Sequence, residues 1–117
     1  MRIITRRTLR SIVAKNASTK VAIEYWYRVA HRSKWENSAE VLKAFPSASV
    51  IDAKRVRFKI SGNDFRLVCE VDYETKTVWI KFFGTHTEYD ALGRNTDAPT
   101  IHNVDMFKTK KTEAEHK

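Results

Sequence analysis

Between Arg55 and Phe83 the apolar residues recur at every second position, and no other feature constrains the fold as tightly. Val56, Phe58 and Ile60 alternate with Arg55, Arg57 and Lys59. Gly62-Asn63 has the composition of a two-residue hairpin turn. Phe65, Leu67, Cys69, Val71 and Tyr73 then share one side of a second strand. A tight turn near Glu74-Thr75-Lys76 leads into a third, Thr77 to Phe83. A one-residue slip would exchange the two faces, so this pattern fixes the register. With loops at Gly62-Asn63 and Thr75-Lys76, Ile60 opposes Phe65, Phe58 opposes Leu67, and Val56 opposes Cys69. On the next strand Cys69 opposes Phe82 and Val71 opposes Ile80. The polar face then carries three rows: Arg55, Glu70, Lys81; Arg57, Val68, Phe83; and Lys59, Arg66, Thr85.

Upstream the period is helical. Arg2-Ile3-Ile4 is a short strand, and Thr5 can cap a helix over about residues 6–15 with Leu9, Ile12 and Val13 on one face. Ser18 can cap a second helix to about Arg32, whose Val21, Ala22, Tyr25, Trp26, Val29 and Ala30 recur at helical spacing. Ser38 can cap a third through Ala44, ended by Phe45-Pro46. The expected fold is α+β: N-terminal helices packed on an antiparallel sheet, followed by a short C-terminal helix. A single domain is expected over residues 1–93. Residues 94–117 read as a C-terminal extension of mixed charge, ordered only where it docks.

The 117 residues suffice for one modest core, and their charge is uneven. Residues 1–60 hold 14 basic and 4 acidic side chains, net +10; residues 61–117 hold 8 and 10, net −2, which together give +8. A basic half calls for an acidic partner: nucleic acid, an acidic protein or an anionic membrane. No apolar run is long enough to span a bilayer, and Met1-Arg2-Ile3-Ile4 is not followed by a signal-peptide core, so a cytoplasmic protein is expected. The lone Cys69 cannot form an internal disulfide and reads as a small buried residue. His31, His86, His102 and His116 show no ligand spacing, and the three glycines form neither a P-loop nor a dinucleotide fingerprint. No metal and no cofactor are expected.

Chemistry concentrates after the third strand. Thr85 followed by Glu88 is a capping box, so a helix begins at His86 and carries Tyr89 and Asp90 within one turn. A helix start attracts anions, and an imidazole exchanges protons near neutrality. Each residue also has a structural reading: His86 as a cap, Tyr89 as a rim aromatic, Asp90 as helix support, Arg66 as an ordinary surface arginine. Lys59 opposite Arg66 places like charges together, which destabilises a hairpin unless an anion compensates. Asp64, Asp90 or a bound phosphate could supply it. Trp26 and Trp35 read as core, whereas Trp79, on the charged face, reads as an exposed stacking platform, the alternative being simple cross-strand packing.

At these residues the chain resembles the HigB family of bacterial toxins, within the RelE-like group of small messenger-RNA endonucleases. The matching segments are Arg57-Phe58-Lys59-Ile60 with Gly62-Asn63, Phe65-Arg66-Leu67-Val68, and Phe82-Phe83-Gly84-Thr85-His86-Thr87-Glu88-Tyr89-Asp90. Ile3-Ile4-Thr5 before a basic helix and Phe45-Pro46-Ser47 before the sheet also fit, so the resemblance covers about residues 1–92. It implies a toxin that cuts mRNA, usually in the ribosomal A site, and is held inactive by a HigA-like helix-turn-helix antitoxin. The implied nucleophile is the ribose 2′-OH, so no metal is needed. The implied catalytic residues are Arg66 at the scissile phosphate, His86 and Tyr89 in acid–base roles, and Lys81 in charge neutralisation. Arg55, Arg57, Lys59 and Asn63 are the implied RNA-binding set. The stretch Met106 to Glu115 looks similar to the beginning of HigA-type antitoxins, by chance or by fusion. The alternative to a nuclease is a non-catalytic RNA- or ribosome-binding module using the same basic face; a third reading is a face that docks an acidic protein.

Overall fold

In the computed structural model, which describes residues 1–94 and 97–108, three helices cover one face of a five-stranded sheet. The elements run β1 (Arg2–Ile4), α1 (Arg6–Lys15), a 3₁₀ turn (Ala17–Thr19), α2 (Lys20–Arg32), α3 (Ser38–Ala44), β2 (Ser49–Val50), β3 (Arg55–Ile60), β4 (Phe65–Asp72), β5 (Thr77–Thr85) and α4 (His86–Asp90). Strand order is β1-β5-β4-β3-β2, antiparallel except where β1 runs parallel to β5. This is the expected α+β fold with helices N-terminal to the sheet.

The core forms where the helical stripes meet the apolar face of the sheet. Leu9 and Ile12 of α1, Ile23, Trp26 and Ala30 of α2 and Val41 of α3 pack against Phe58, Leu67, Cys69, Val78 and Ile80. Trp26 and Phe58, each 1% exposed, meet edge to face at 5.4 Å, and Phe45 approaches Phe58 at 5.2 Å. Full burial of each such side chain contributes about 1.5–3 kcal/mol. Cys69 is fully buried in this layer, and burial pushes its thiol up, which leaves it inert at neutral pH.

Local chemistry sets the ends. The Thr5 side chain accepts from the Thr8 amide at 3.0 Å, as expected for the α1 cap. The cap of α3 is Asn37, not Ser38, with its Oδ1 accepting from Glu40 N at 3.1 Å. A 3₁₀ turn rather than a Ser18 cap precedes α2. Strand β2, two residues long, lies outside the sequence expectation because so short a run carries no period.

The β3–β4 register is the expected one, from Arg55 opposite Glu70 to Ile60 opposite Phe65. The β4–β5 register is not. The loop after β4 is longer than two residues: Asp72 pairs with Thr77, and its carboxylate accepts from the amides of Glu74 and Thr75 at 3.0 and 3.2 Å. Lys76 closes the loop at φ 56°. The ladder then shifts, with Cys69 opposite Ile80 but Val68 opposite Phe82, leaving Lys81 as the extra residue of a β-bulge. The outer rows are therefore Arg55, Glu70, Trp79; Arg57, Val68, Phe82; and Lys59, Arg66, Gly84. In this register Trp79 stands beside Ile4 of β1, with which it packs, and is 7% exposed. It is not the open stacking platform that its place on the charged face suggested.

Candidate functional site

Strands β3, β4 and β5 present Arg55, Arg57, Lys59, Arg66 and Lys81 on the sheet face turned away from the helices. That outer face has a covered part and an open part.

Residues 97–108 form a strap across the covered part. His102 Nδ1 lies 2.8 Å from Asp52 Oδ2, just before β3. Two residues on, Val104 is buried against Val68 and Phe82, and its carbonyl accepts from Arg55 Nη1 at 2.7 Å. Asp105 Oδ2 is 3.4 Å from Lys81 Nζ, and the Met106 amide donates to the Lys81 carbonyl at 2.7 Å. The strap thus runs from the edge of β3 over β4 to β5. Lys81 is 7% exposed and also lies 3.9 Å from Glu70 Oε2, so a buried cation is paired on two sides. Arg55, 6% exposed, is likewise engaged. Burial acts to raise the Asp52 carboxyl, but the hydrogen bond from His102 and those from the Lys54 and Arg55 amides outweigh it and hold the group below its ordinary value. Sequence reasoning missed Asp52, His102, Val104 and Asp105, because one apolar residue in a polar stretch has no period. Residues 109–117, most of the antitoxin-like stretch, lie outside the described residues.

The open part holds Lys59, Arg66, Asn63, Arg57, His86 and Tyr89. Lys59 and Arg66 are directly opposed, and Arg66 neighbours Gly84 on β5. Among the described residues no carboxylate lies within 4.0 Å of either cation; neither Asp64 nor Asp90 compensates them. Arg66 Nη1 donates to the Asn63 carbonyl at 2.8 Å and more weakly to Phe65 O at 3.3 Å, folding the guanidinium over the hairpin tip. The tip turn itself is closed by Asp64 N donating to Ser61 O at 3.2 Å, with Ser61 and Gly62 at positive φ.

Helix α4 starts as expected. Thr85 Oγ1 accepts from Glu88 N at 3.1 Å, and Glu88 Oε1 accepts from Thr85 N at 2.8 Å. The His86 amide donates to Asp64 O at 3.2 Å, tying the helix start to the β3–β4 tip. With five residues, α4 brings little dipole to an anion; the side chains must carry the charge. His86 Nδ1 is 3.5 Å from Asp90 Oδ2, and both side chains are more than half exposed. Tyr89 leans on Phe82 with ring centroids 6.2 Å apart, and Arg57 Cζ stands 6.0 Å from its ring. Arg57 Nη2 is held by Ser49 Oγ at 2.8 Å, which gives the short strand β2 a part in the site. Gly84 is dictated by crowding: a Cβ there would meet Phe82 Cζ at 2.8 Å and Glu88 Oε1 at 3.0 Å.

Half of the positive charge of residues 1–60 is elsewhere, on α1 and α2. A groove of about 830 Å³ between those helices is lined by Arg6, Arg10, Lys20, Arg28 and Arg32 and includes none of the site residues. Among the described residues no cluster of His, Cys, Asp or Glu could hold a metal ion, and no helix is long and apolar enough to cross a membrane.

Two comparisons bear on the open rim. The chain is 26% identical over 99 residues to the mRNA interferase HigB of Escherichia coli O6:H1 (strain CFT073), a match covering 80% of this chain and 93% of that protein. A family profile described as HigB_toxin, RelE-like toxic component of a toxin-antitoxin system, matches residues 19–92. That span runs from the start of α2 through α4, and so includes every residue of the open rim. The chain therefore belongs to the HigB family, the RelE-like toxic components of toxin-antitoxin systems.

Proposed function

We propose that this toxin is an endoribonuclease that cleaves mRNA on the ribosome in the cytoplasm and is silenced by a HigA-like helix-turn-helix antitoxin. One observation carries the reading: Lys59 and Arg66 are juxtaposed on an open rim that also holds His86 and Tyr89, with no carboxylate among the described residues within 4.0 Å of either cation. Like charges held together lower the stability of the hairpin, and a phosphodiester placed between them relieves that cost. Arg66 swings from the Asn63 carbonyl to the scissile phosphate and holds the charge that grows on its oxygens. Lys59, Arg57 and Asn63 hold the flanking backbone. His86 and Tyr89 divide the proton transfers: one takes the 2′-OH proton as that oxygen attacks phosphorus, the other protonates the departing 5′-oxygen. The products are a 2′,3′-cyclic phosphate and a 5′-hydroxyl, with no outside reactant consumed. Arg55 and Lys81, engaged by the strap, serve in this scheme to hold it.

The test is cleavage of mRNA on programmed ribosomes by the purified protein, with the new ends mapped chemically. Cuts ending in cyclic phosphate, lost in Arg66→Ala, are expected. Binding to RNA or ribosomes without any cut would instead favour a non-catalytic module.

A further inference from the structure

Helix α2 leaves two large apolar residues in solvent, one turn apart: Val21 is 79% exposed and Tyr25 55%. They form one wall of a groove of about 600 Å³ whose other walls are Phe45-Pro46 and Lys59 to Ser61 of the β3 end. The groove exists because β2 pairs only with Val56 and Arg57, so the edge of β3 beyond them is uncovered. Its volume lies in the range of small-ligand sites, about 300–1,000 Å³. Tyr25 is propped edge to face by Phe45 at 6.4 Å, which holds the ring without covering it. Lys59 lines this groove and also stands opposite Arg66 in the uncompensated pair, so groove and rim meet along the edge of β3.

We propose that this groove is a nucleobase subsite: a base of the single-stranded RNA next to the scissile phosphate stacks on Tyr25 while Lys59 holds its phosphate. The inference rests on the nuclease reading. An exposed ring and a cation lining one groove form the kind of surface that holds single-stranded RNA, since every base offers a π-face and every linkage a charge. A purely apolar protein partner would leave Lys59 without a counter-charge.

Binding is measured with RNA oligonucleotides carrying a 2′-deoxy substitution at the cleavage position, and cleavage with the unmodified RNA. Tyr25→Ser is expected to weaken binding by about tenfold, or about 1.4 kcal/mol, with the loss appearing in KM rather than kcat. Tyr25→Phe, which keeps the ring, restores affinity. An abasic nucleotide at the adjacent position costs the wild type the same factor and costs Tyr25→Ser nothing further. An unchanged Kd and base preference in a folded Tyr25→Ser protein overturns the subsite while leaving the nuclease reading intact. Tight binding of the deoxy-substituted RNA with no cleavage of the unmodified strand overturns the nuclease reading, and the same Kd series still decides the subsite. Loss of antitoxin binding in Tyr25→Ser with no change toward RNA assigns the groove to the antitoxin and overturns the proposal.

Discussion

Arg66 donates to the carbonyl of Asn63, three residues back across the hairpin tip, at 2.8 Å. The bond parks the guanidinium on the rim with no carboxylate among the described residues to pair it, so the charge remains available to a phosphate. Arg66→Ala should keep the fold, because the side chain is outside the core and one such bond contributes only about 0.5–1.5 kcal/mol. Its cleavage rate should fall by roughly 10²–10³, the scale of removing one donor from a developing oxyanion. Arg66→Lys should recover part of that loss, lacking the bidentate fork. Circular dichroism and single-turnover cleavage decide it; wild-type turnover in a folded Arg66→Ala protein would remove the residue from the mechanism.

The reciprocal bonds between Thr85 and Glu88 position His86 and Tyr89 through the first turn of α4. Thr85→Ala should cost about 1 kcal/mol of stability. Activity should drop by more than that small change explains, since in the proposed mechanism His86 and Tyr89 carry the proton transfers and both lose their anchor. Gly84→Ala should produce the same phenotype from the other side, by forcing Phe82 and Glu88 apart. Thermal melts set beside cleavage rates test both, and intact activity in either variant would show that α4 need not be held.

Strap docking can be separated from the chemistry. Val104 is 4% exposed, wedged against Val68 and Phe82. Val104→Ala removes two buried methyl groups and should cost about 2 kcal/mol. Amides of residues 100–106 should lose hydrogen-exchange protection while β3 and β4 keep theirs. Equal loss of protection throughout would mean that the strap and the sheet unfold as one unit.

The Asp52–His102 contact gives the strap an acid limit. The Asp52 carboxyl is held below its ordinary value of 3.8, so the unfolded chain binds a proton there more readily than the folded one. Its contribution is complete above pH 3.8 and is lost as the pH falls through the lower folded-state value. Asp52→Asn should abolish this acid-dependent part of strap docking. An NMR titration that found the carboxyl at or above 3.8 would contradict it.

The sequence revealed those parts of the fold that repeat. Alternation fixed β3 against β4 pair by pair, because the apolar set Val56, Phe58, Ile60 can meet Phe65, Leu67 and Cys69 in only one way. The Thr85–Glu88 spacing located α4 to the residue. Exceptions to periodicity were not legible. The bulge at Lys81 shifts half of the β4–β5 ladder, and nothing in Trp79-Ile80-Lys81-Phe82 marks where it falls. Nor did the sequence show that β1 pairs with the far edge of β5, which sets Ile4 beside Trp79 and covers it. Tyr25 followed the helical period of Trp26 and Ala30 but lies on the flank of the buried stripe, a distinction that depends on where α3 ends. Asp105 and Asp52 acquired meaning only once the strap had been laid across the sheet.

Lys81 is the residue by which β5 exceeds what β4 requires, and both of its ends are used by the strap: the carbonyl by the Met106 amide, the ammonium by Asp105. Deleting Lys81 would leave a ladder of constant register, Val68 opposite the residue now numbered 82 and Cys69 opposite Ile80, with every side chain keeping its face. One insertion in a central strand therefore adds a docking point without disturbing the core. Lys81 and the strap are therefore coupled: a β5 without the extra residue would offer neither the ammonium that meets Asp105 nor the carbonyl that accepts from the Met106 amide.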